Sequence, residues 1–332
     1  MRTCVFFLFS FLSPAFLFSQ NDSLTYAEKL GYPKGSRVLI LHVDDVGMSF
    51  DSNEGAIAAI TKGVSTSCSI MMPCPWVPGF VHWLKDHPDI DAGLHLTLTS
   101  EWRDYRWAPL AGKTNVPGLV DQEGDMWHSV EEVVTHANAD EVEREIRAQL
   151  ERARNLGFQP THLDTHMGTV YATAGFLERY VKVGIENHIP LMLPGGKDVL
   201  IQQQMHFPEA MITQLRNIGK QIWDAGLPVL DDLENTSYDV KIPDEIKNDD
   251  KKLQQFKTEK YIAAIKSLKP GVTMMIMHCT ATTEVFQHIS DSGPVRKGDM
   301  LAMMDPAFRK ALESENIILT TWRELKNRRD RL

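Results

Sequence analysis

The chain has 332 residues, 43% of them hydrophobic and 24% charged, with a net charge of −9. That composition excludes a disordered, collagenous or low-complexity protein, and the acidity argues against nucleic acid or an anionic membrane as partner. The length suits one or two domains, and α/β barrels commonly use it for one.

Arg2 is followed by an apolar run over 5–18, interrupted only by Ser10, Ser13 and Pro14, and then by Ser19. A positive start, a short apolar core and a small exit residue predict a signal peptide over 1–19, cleaved near Ser19. Such a run spans about two-thirds of a bilayer core, and Pro14 weakens its helix, so an anchor is the poorer reading. The expected product is an exported protein, periplasmic or secreted, of residues 20–332 with no stable membrane insertion after processing. Loss of Arg2 takes its charge from −9 to −10. Cys68, Cys74 and Cys279 remain, an odd and sparse set unlike a disulfide scaffold. Cys68 and Cys74 are near enough in sequence to pair, with buried free thiols as the alternative.

Residues 37–43 form a near-continuous apolar run, the pattern of a strand buried on both faces. A helix is expected over 53–62, closed by Gly63, then a strand over 66–72, a helix containing 80–85 and a strand over 92–98. From 100 to 129 the chain loses periodicity while carrying Trp102, Tyr105, Trp107 and Trp127, as a functional loop or lid would. Asp140 is expected to open the clearest helix, with Glu143 completing a capping box. Val142, Ile146, Leu150 and Ala153 form its inward stripe, and Gly157 closes it. Further strands are expected at 161–165, 190–193, 227–230, 272–277 and 316–320, with helices at 176–186, 210–225 and 253–267. Residues 235–252 read as a polar surface excursion. This alternation predicts a single α/β domain, core about 37–322, folded as a distorted (β/α) barrel with about seven parallel strands. A doubly wound open sheet is the alternative.

Four segments carry polar groups where parallel strands end, the usual place for active-site residues in such folds. Asp44-Asp45 follows the first strand, and a turn or helix cap accounts for one aspartate more readily than two. In the 93–99 segment His95, Thr97 and Thr99 alternate with leucines and so share a face. In the 161–166 segment His162, Asp164 and His166 project to one side at period two, which points to metal or proton chemistry. His278 ends the strand at 272–277. His42, His128, His136, His206 and His288 lack such context and read as structural or solvent-facing. One carboxylate with two imidazoles leaves a metal position open to water, as catalytic sites do, and a spare carboxylate and histidine complete the parts for metal-assisted hydrolysis.

With Val43-Asp44-Asp45-Val46-Gly47, Asn53-Glu54-Gly55, Val64-Ser65-Thr66-Ser67, the 93–99 segment and Pro160-Thr161-His162-Leu163-Asp164-Thr165-His166, the sequence resembles the YdjC-like carbohydrate deacetylases. The family includes chitooligosaccharide and hopanoid-biosynthesis deacetylases, and the motifs run in order from about 38 to 278. The resemblance implies Asp45, His95 and His166 as ligands of one divalent metal ion, zinc or magnesium. It implies Asp44 as general base and His278 as general acid, with His162 a secondary ligand candidate. Two departures stand out: Met167-Gly168 follows the second motif histidine where further histidines are common, and Cys279 follows His278 where proline is usual.

The expected reaction is hydrolysis of an N-acetyl group on an amino sugar or oligosaccharide, releasing acetate, with the loop aromatics suited to stacking on sugar rings. Two other readings are a non-haem metal oxygenase, which needs no second carboxylate base, and a non-catalytic exported carbohydrate-binding protein. A homodimer is compatible with the sequence.

Overall fold

The computed structural model describes residues 24–332, so the leader expected at 1–19 lies outside the described residues. Among the described residues, no helix is long and apolar enough to cross a membrane. The core is a curled, all-parallel sheet of β1 (Arg37–Val46), β2 (Ser67–Ile70), β3 (Ala92–Leu96), β4 (Leu163–Thr165), β5 (Asp232–Glu234), β6 (Gly271–Met277) and β7 (Ile318–Leu319). Its order is β4-β3-β2-β1-β6-β5, with β7 pairing against the start of β1. Strands β1 and β6 are apolar along most of their length and buried on both faces, as helix-covered parallel strands must be.

The strands expected at 190–193 and 227–230 shrink to single parallel bridges, Leu163 with Leu191 and Pro194 with Leu230. Pro190, Pro194 and Pro228 remove the amide donors that a longer ladder needs. The bridges nevertheless span the gap between β4 and β5, curling the sheet in the manner of the expected distorted barrel instead of leaving it open.

The helix expected from Asp140 runs over Ala139–Asn155, with Asn138 as its cap and Glu141, not Glu143, closing the capping box. Glu143 is on the outer side, paired with Arg147 and Lys182. Inward, Glu141 and Glu145 are buried beside the expected apolar stripe. Glu145 accepts the amides of Leu110 and Ala111, and Glu141 that of Gly118. Thus two carboxylates of one helix anchor the irregular 100–129 segment. The same segment is packed inward by Trp107, whose indole donates to the Thr99 carbonyl, and by Trp127, stacked on His136.

Cys68, Cys74 and Cys279 are buried free thiols, and Cys68 and Cys74 do not pair. Gly93 faces the His162 ring so closely that a Cβ there would sit 2.5 Å from ring atoms. Gly93→Ala is therefore expected to cost about 1–3 kcal/mol by overpacking, read as a lower midpoint in denaturant unfolding. An unchanged midpoint would show that the ring is free to move.

Candidate active site

The two adjacent aspartates serve one site because the strand is irregular there. Val43 pairs with Cys68 and Val46 with Ile70, so Asp44 and Asp45 together oppose the single residue Ser69. This is a β-bulge, a device that re-aims side chains beside active sites. Asp45 takes a left-handed backbone, φ 62°, which the short polar side chain of aspartate tolerates better than most. In a regular strand the two carboxylates would point to opposite faces.

Asp45 Oδ1 lies 3.2 Å from His95 Nε2 and 3.2 Å from His166 Nδ1. That oxygen is buried and has no hydrogen-bond partner, an arrangement that is costly unless a cation completes it. The other nitrogen of each imidazole is engaged: His95 Nδ1 contacts Asp164 Oδ1 at 2.8 Å, and His166 Nε2 meets Glu101 at 3.0 Å. A carboxylate on the far nitrogen is how proteins fix the tautomer and orientation of metal-binding histidines. The donor set therefore fits a metal ion, which Asp45, His95 and His166 could hold, their ligand atoms lying within 4.8 Å of one another.

Two other clusters have similar spacing, Asp44-His95-Asp164 and His42-His162-Asp164. The second lies one layer deeper and does not line the cleft. His42 Nε2 is already 2.8 Å from Asp164 Oδ2 and 3.1 Å from Asp44 Oδ1, and its Nδ1 contacts Ser67. Burial works against a charge on His42, but Asp164 and Asp44 raise its pKa to about 9. His162 is fully buried and stacked on Trp322, 3.5 Å from Asp164, and burial holds it neutral. His162 thus falls outside the trio, whereas His42, expected to be structural or solvent-facing, links Asp44 to Asp164 from beneath.

The Asp45 carboxyl sits well below its usual range: burial opposes this, but the Arg296 guanidinium and His166 outweigh it. Arg296 Nη1 approaches Asp45 Oδ2 at 2.6 Å, and both groups are buried. Burial also disfavours charge on His166, yet Glu101 and Asp45 lift it to about 9. His278 follows β6 with Nε2 4.0 Å from Asp44 Oδ2 and its ring against Tyr238. Burial keeps it neutral against the pull of Asp45, helped by Arg296.

The motif residues Asn53 and Gly55 hold these pieces together. Asn53 Oδ1 accepts the Gly47 amide just past the bulge, while its amide group donates to the Trp76 carbonyl. Gly55 lets the Phe50–Thr61 helix touch the chain after His278, since a Cβ there would lie 2.4 Å from Thr280 Cα. Backbone cannot yield as a side-chain tip can. Gly55→Ala is expected to shift His278 and lower turnover roughly 10²-fold, the scale of a misplacement near 1 Å, with KM less affected; steady-state kinetics checks both.

The cleft above these groups has a volume of about 710 Å³ and is lined by Asp44, Asp45, His95, His166 and His278, the five residues singled out from sequence. Of the four aromatics expected at the loop only Trp102 reaches it; Trp107 is buried, Trp127 packs on His136, and the Tyr105 hydroxyl donates to the Met48 carbonyl. Glu101 and Arg296 were not singled out. Glu101 continues the period-two series of His95, Thr97 and Thr99, a signal present in the sequence. Arg296 stands on the Gly293–Met303 helix, which no periodicity announced, 251 positions from its partner.

The sequence matches the YdjC-like protein family over residues 38–314. A carbohydrate deacetylase of Thermus thermophilus is 31% identical over 299 residues, covering 90% of this chain and 97% of that one. A chitooligosaccharide deacetylase of Yersinia enterocolitica is 30% identical over 133 residues, 39% of this chain and 49% of its own. The crystal structure of an Enterococcus faecalis protein superposes with a TM-score of 0.67 at 20% identity, covering 87% of this chain and 99% of that one, and so shares the fold. The family match extends from the second residue of β1, through the bulge and both histidine motifs, to the end of the helix that follows Arg296: the chain belongs to the YdjC-like protein family.

Proposed function

We propose that the protein is a metal-dependent carbohydrate deacetylase that hydrolyses an N-acetyl group of an amino sugar or oligosaccharide and releases acetate. The observation that carries this reading is the buried, unpartnered Asp45 Oδ1 between His95 Nε2 and His166 Nδ1, with Asp44 and His278 on the same cleft wall. The similarity to relatives named as carbohydrate deacetylases supplies the substrate class.

A divalent cation held by Asp45, His95 and His166 would polarise the acyl oxygen and lower the pKa of a water, to about 7 were it zinc. Asp44 accepts the proton of the attacking water, as a carboxylate general base within the cleft. His42 contacts its Oδ1 from below, leaving Oδ2 turned toward His278 Nε2, 4.0 Å away. His278, kept neutral by burial beforehand, takes over the proton that Asp44 removed from the water, across the 4.0 Å between Asp44 Oδ2 and His278 Nε2, and gives it to the leaving nitrogen as the C–N bond breaks. Asp164 and Glu101 hold the His95 and His166 rings in orientation throughout. Imidazole donors favour zinc, while an oxygen-rich substrate would also suit magnesium.

The test is acetate release from N-acetylglucosamine and N-acetylated chitooligosaccharides by protein supplied with zinc or magnesium, beside a chelator-treated sample. Turnover without oxygen or reductant is expected, lost with chelator and restored by metal. Saccharide binding with no acetate from metal-supplied protein would instead support a non-catalytic carbohydrate-binding protein.

A further inference from the structure

The His278 ring has no brace of its own. Its Nδ1 is buried and makes no hydrogen bond, and its Nε2 faces Asp44 across 4.0 Å. His95 and His166, by contrast, each have a carboxylate on the far nitrogen. An imidazole without such a partner takes its orientation from its backbone and from whatever its ring packs against. For His278 these are the end of β6 and the ring of Tyr238, with centroids 4.8 Å apart.

Both supports lead to one buried ion pair. Asp299 Oδ2 accepts the His278 amide at 3.1 Å, while Asp299 Oδ1 accepts the Tyr261 hydroxyl at 2.7 Å and lies 2.6 Å from Lys257 Nζ. The same ammonium donates to the Ser237 carbonyl at 2.8 Å, in the Ser237–Asp239 turn that presents Tyr238. The Ser237 hydroxyl completes the link by donating to the Ile276 carbonyl, two residues before His278. Lys257 thus ties the strand end to the aromatic wall beside it. It stands on the Asp250–Ser267 helix, and its stem passes so close to Gly298 that a Cβ there would lie 2.6 Å from Lys257 Cγ. Asp299 stands three positions after Arg296 on the same helix, so one element fixes both the Asp45 carboxylate and the His278 backbone.

Neither Lys257 nor Asp299 has exposed surface, and neither lines the cleft. A buried ion pair is commonly no more stabilising than apolar side chains of similar volume, so stability alone does not account for this one. What apolar groups cannot supply is an acceptor for one backbone amide joined to a donor for a second segment. We propose that Lys257 and Asp299 are positioning residues for proton transfer, setting the His278 ring between Asp44 and the leaving nitrogen. This assignment rests on the deacetylase reading, with His278 as its acid, and adds what holds that ring in place.

The test measures kcat and KM for acetate release by metal-supplied protein, on whichever of N-acetylglucosamine and the N-acetylated chitooligosaccharides the wild type turns over fastest. Lys257→Met alone would strand a buried carboxylate and threaten folding. The informative variant therefore joins Lys257→Met to Asp299→Asn, whose side-chain oxygen can still accept the His278 amide. It is expected to melt close to wild type. Its kcat should fall about 10²-fold, the scale of a displacement near 1 Å, with KM little changed. In a His278→Gln background the same two substitutions should cost no more than about twofold further, because residues that act through one group are not additive. Wild-type kcat in the double variant would overturn the assignment. So would a loss confined to KM, or one that multiplies in full with that of His278→Gln. Wild-type turnover by His278→Gln would remove the acid, and the assignment with it, while leaving deacetylation standing. No acetate from any of these sugars would remove the deacetylase reading itself.

Discussion

Asp45→Ala and Asp44→Asn are expected to separate metal binding from proton transfer, although the two residues are adjacent. Removing the Asp45 carboxylate takes away the oxygen on which His95 and His166 converge, so metal content and activity should both fall below detection. Asp44→Asn leaves that trio in place. It should retain close to one metal per chain while kcat drops about 10²–10⁴-fold, the usual contribution of a positioned general base. Elemental analysis after gel filtration, paired with acetate release, distinguishes the outcomes. Full turnover by Asp44→Asn would show that another group takes the proton, and metal retention by Asp45→Ala would move the ligand set elsewhere.

The second large effect concerns stability. Arg296→Met leaves the Asp45 carboxylate buried without the guanidinium 2.6 Å away, and breaking a buried pair from one side costs about 3–5 kcal/mol. For a chain of this size the melting temperature of chelator-treated protein should fall by about 5–8 °C. Saturating metal brings a positive charge back to the same carboxylate and stabilises by mass action, so the deficit should narrow in metal-supplied protein. Calorimetry with and without metal reads the difference. An equal deficit in both conditions would mean that Arg296 acts through packing alone, apart from the ligand it touches.

Both expectations concern residues that differ in how far sequence could reveal them. The strand-end aspartates, His95, His166 and His278 were legible because parallel strands place polar residues at one rim and because alternation along a strand is a local pattern. That alternation extends to two further residues. His42 stands two positions before Asp44, and Glu101 continues the His95 series, yet each looked ordinary until its partner was known. For His162, period two gives the face it shares with Asp164 and His166 but not the depth: it sits a layer below the proposed trio, stacked on Trp322, within a second group, His42-His162-Asp164, that is also spaced for a metal. The capping box slipped by two residues because Asn138 is the better cap, and prolines cut the strands near 191 and 230 to single bridges. Arg296 had no local signal, since the pairing exists only in three dimensions. The aromatic loop was visible as a segment, but three of its four rings point into packing.

The distance along the chain between Asp45 and Arg296 also bears on when the site comes into being. Their contact spans 251 positions, and the ligand trio itself needs β1, β3 and β4 in register. Loops of that length close late, and parallel sheets wait on non-local pairings. No early fragment of the chain holds the centre, because Asp45 becomes a settled buried anion only after the C-terminal third has docked. On the proposed metal reading, metal affinity would report complete folding of the chain.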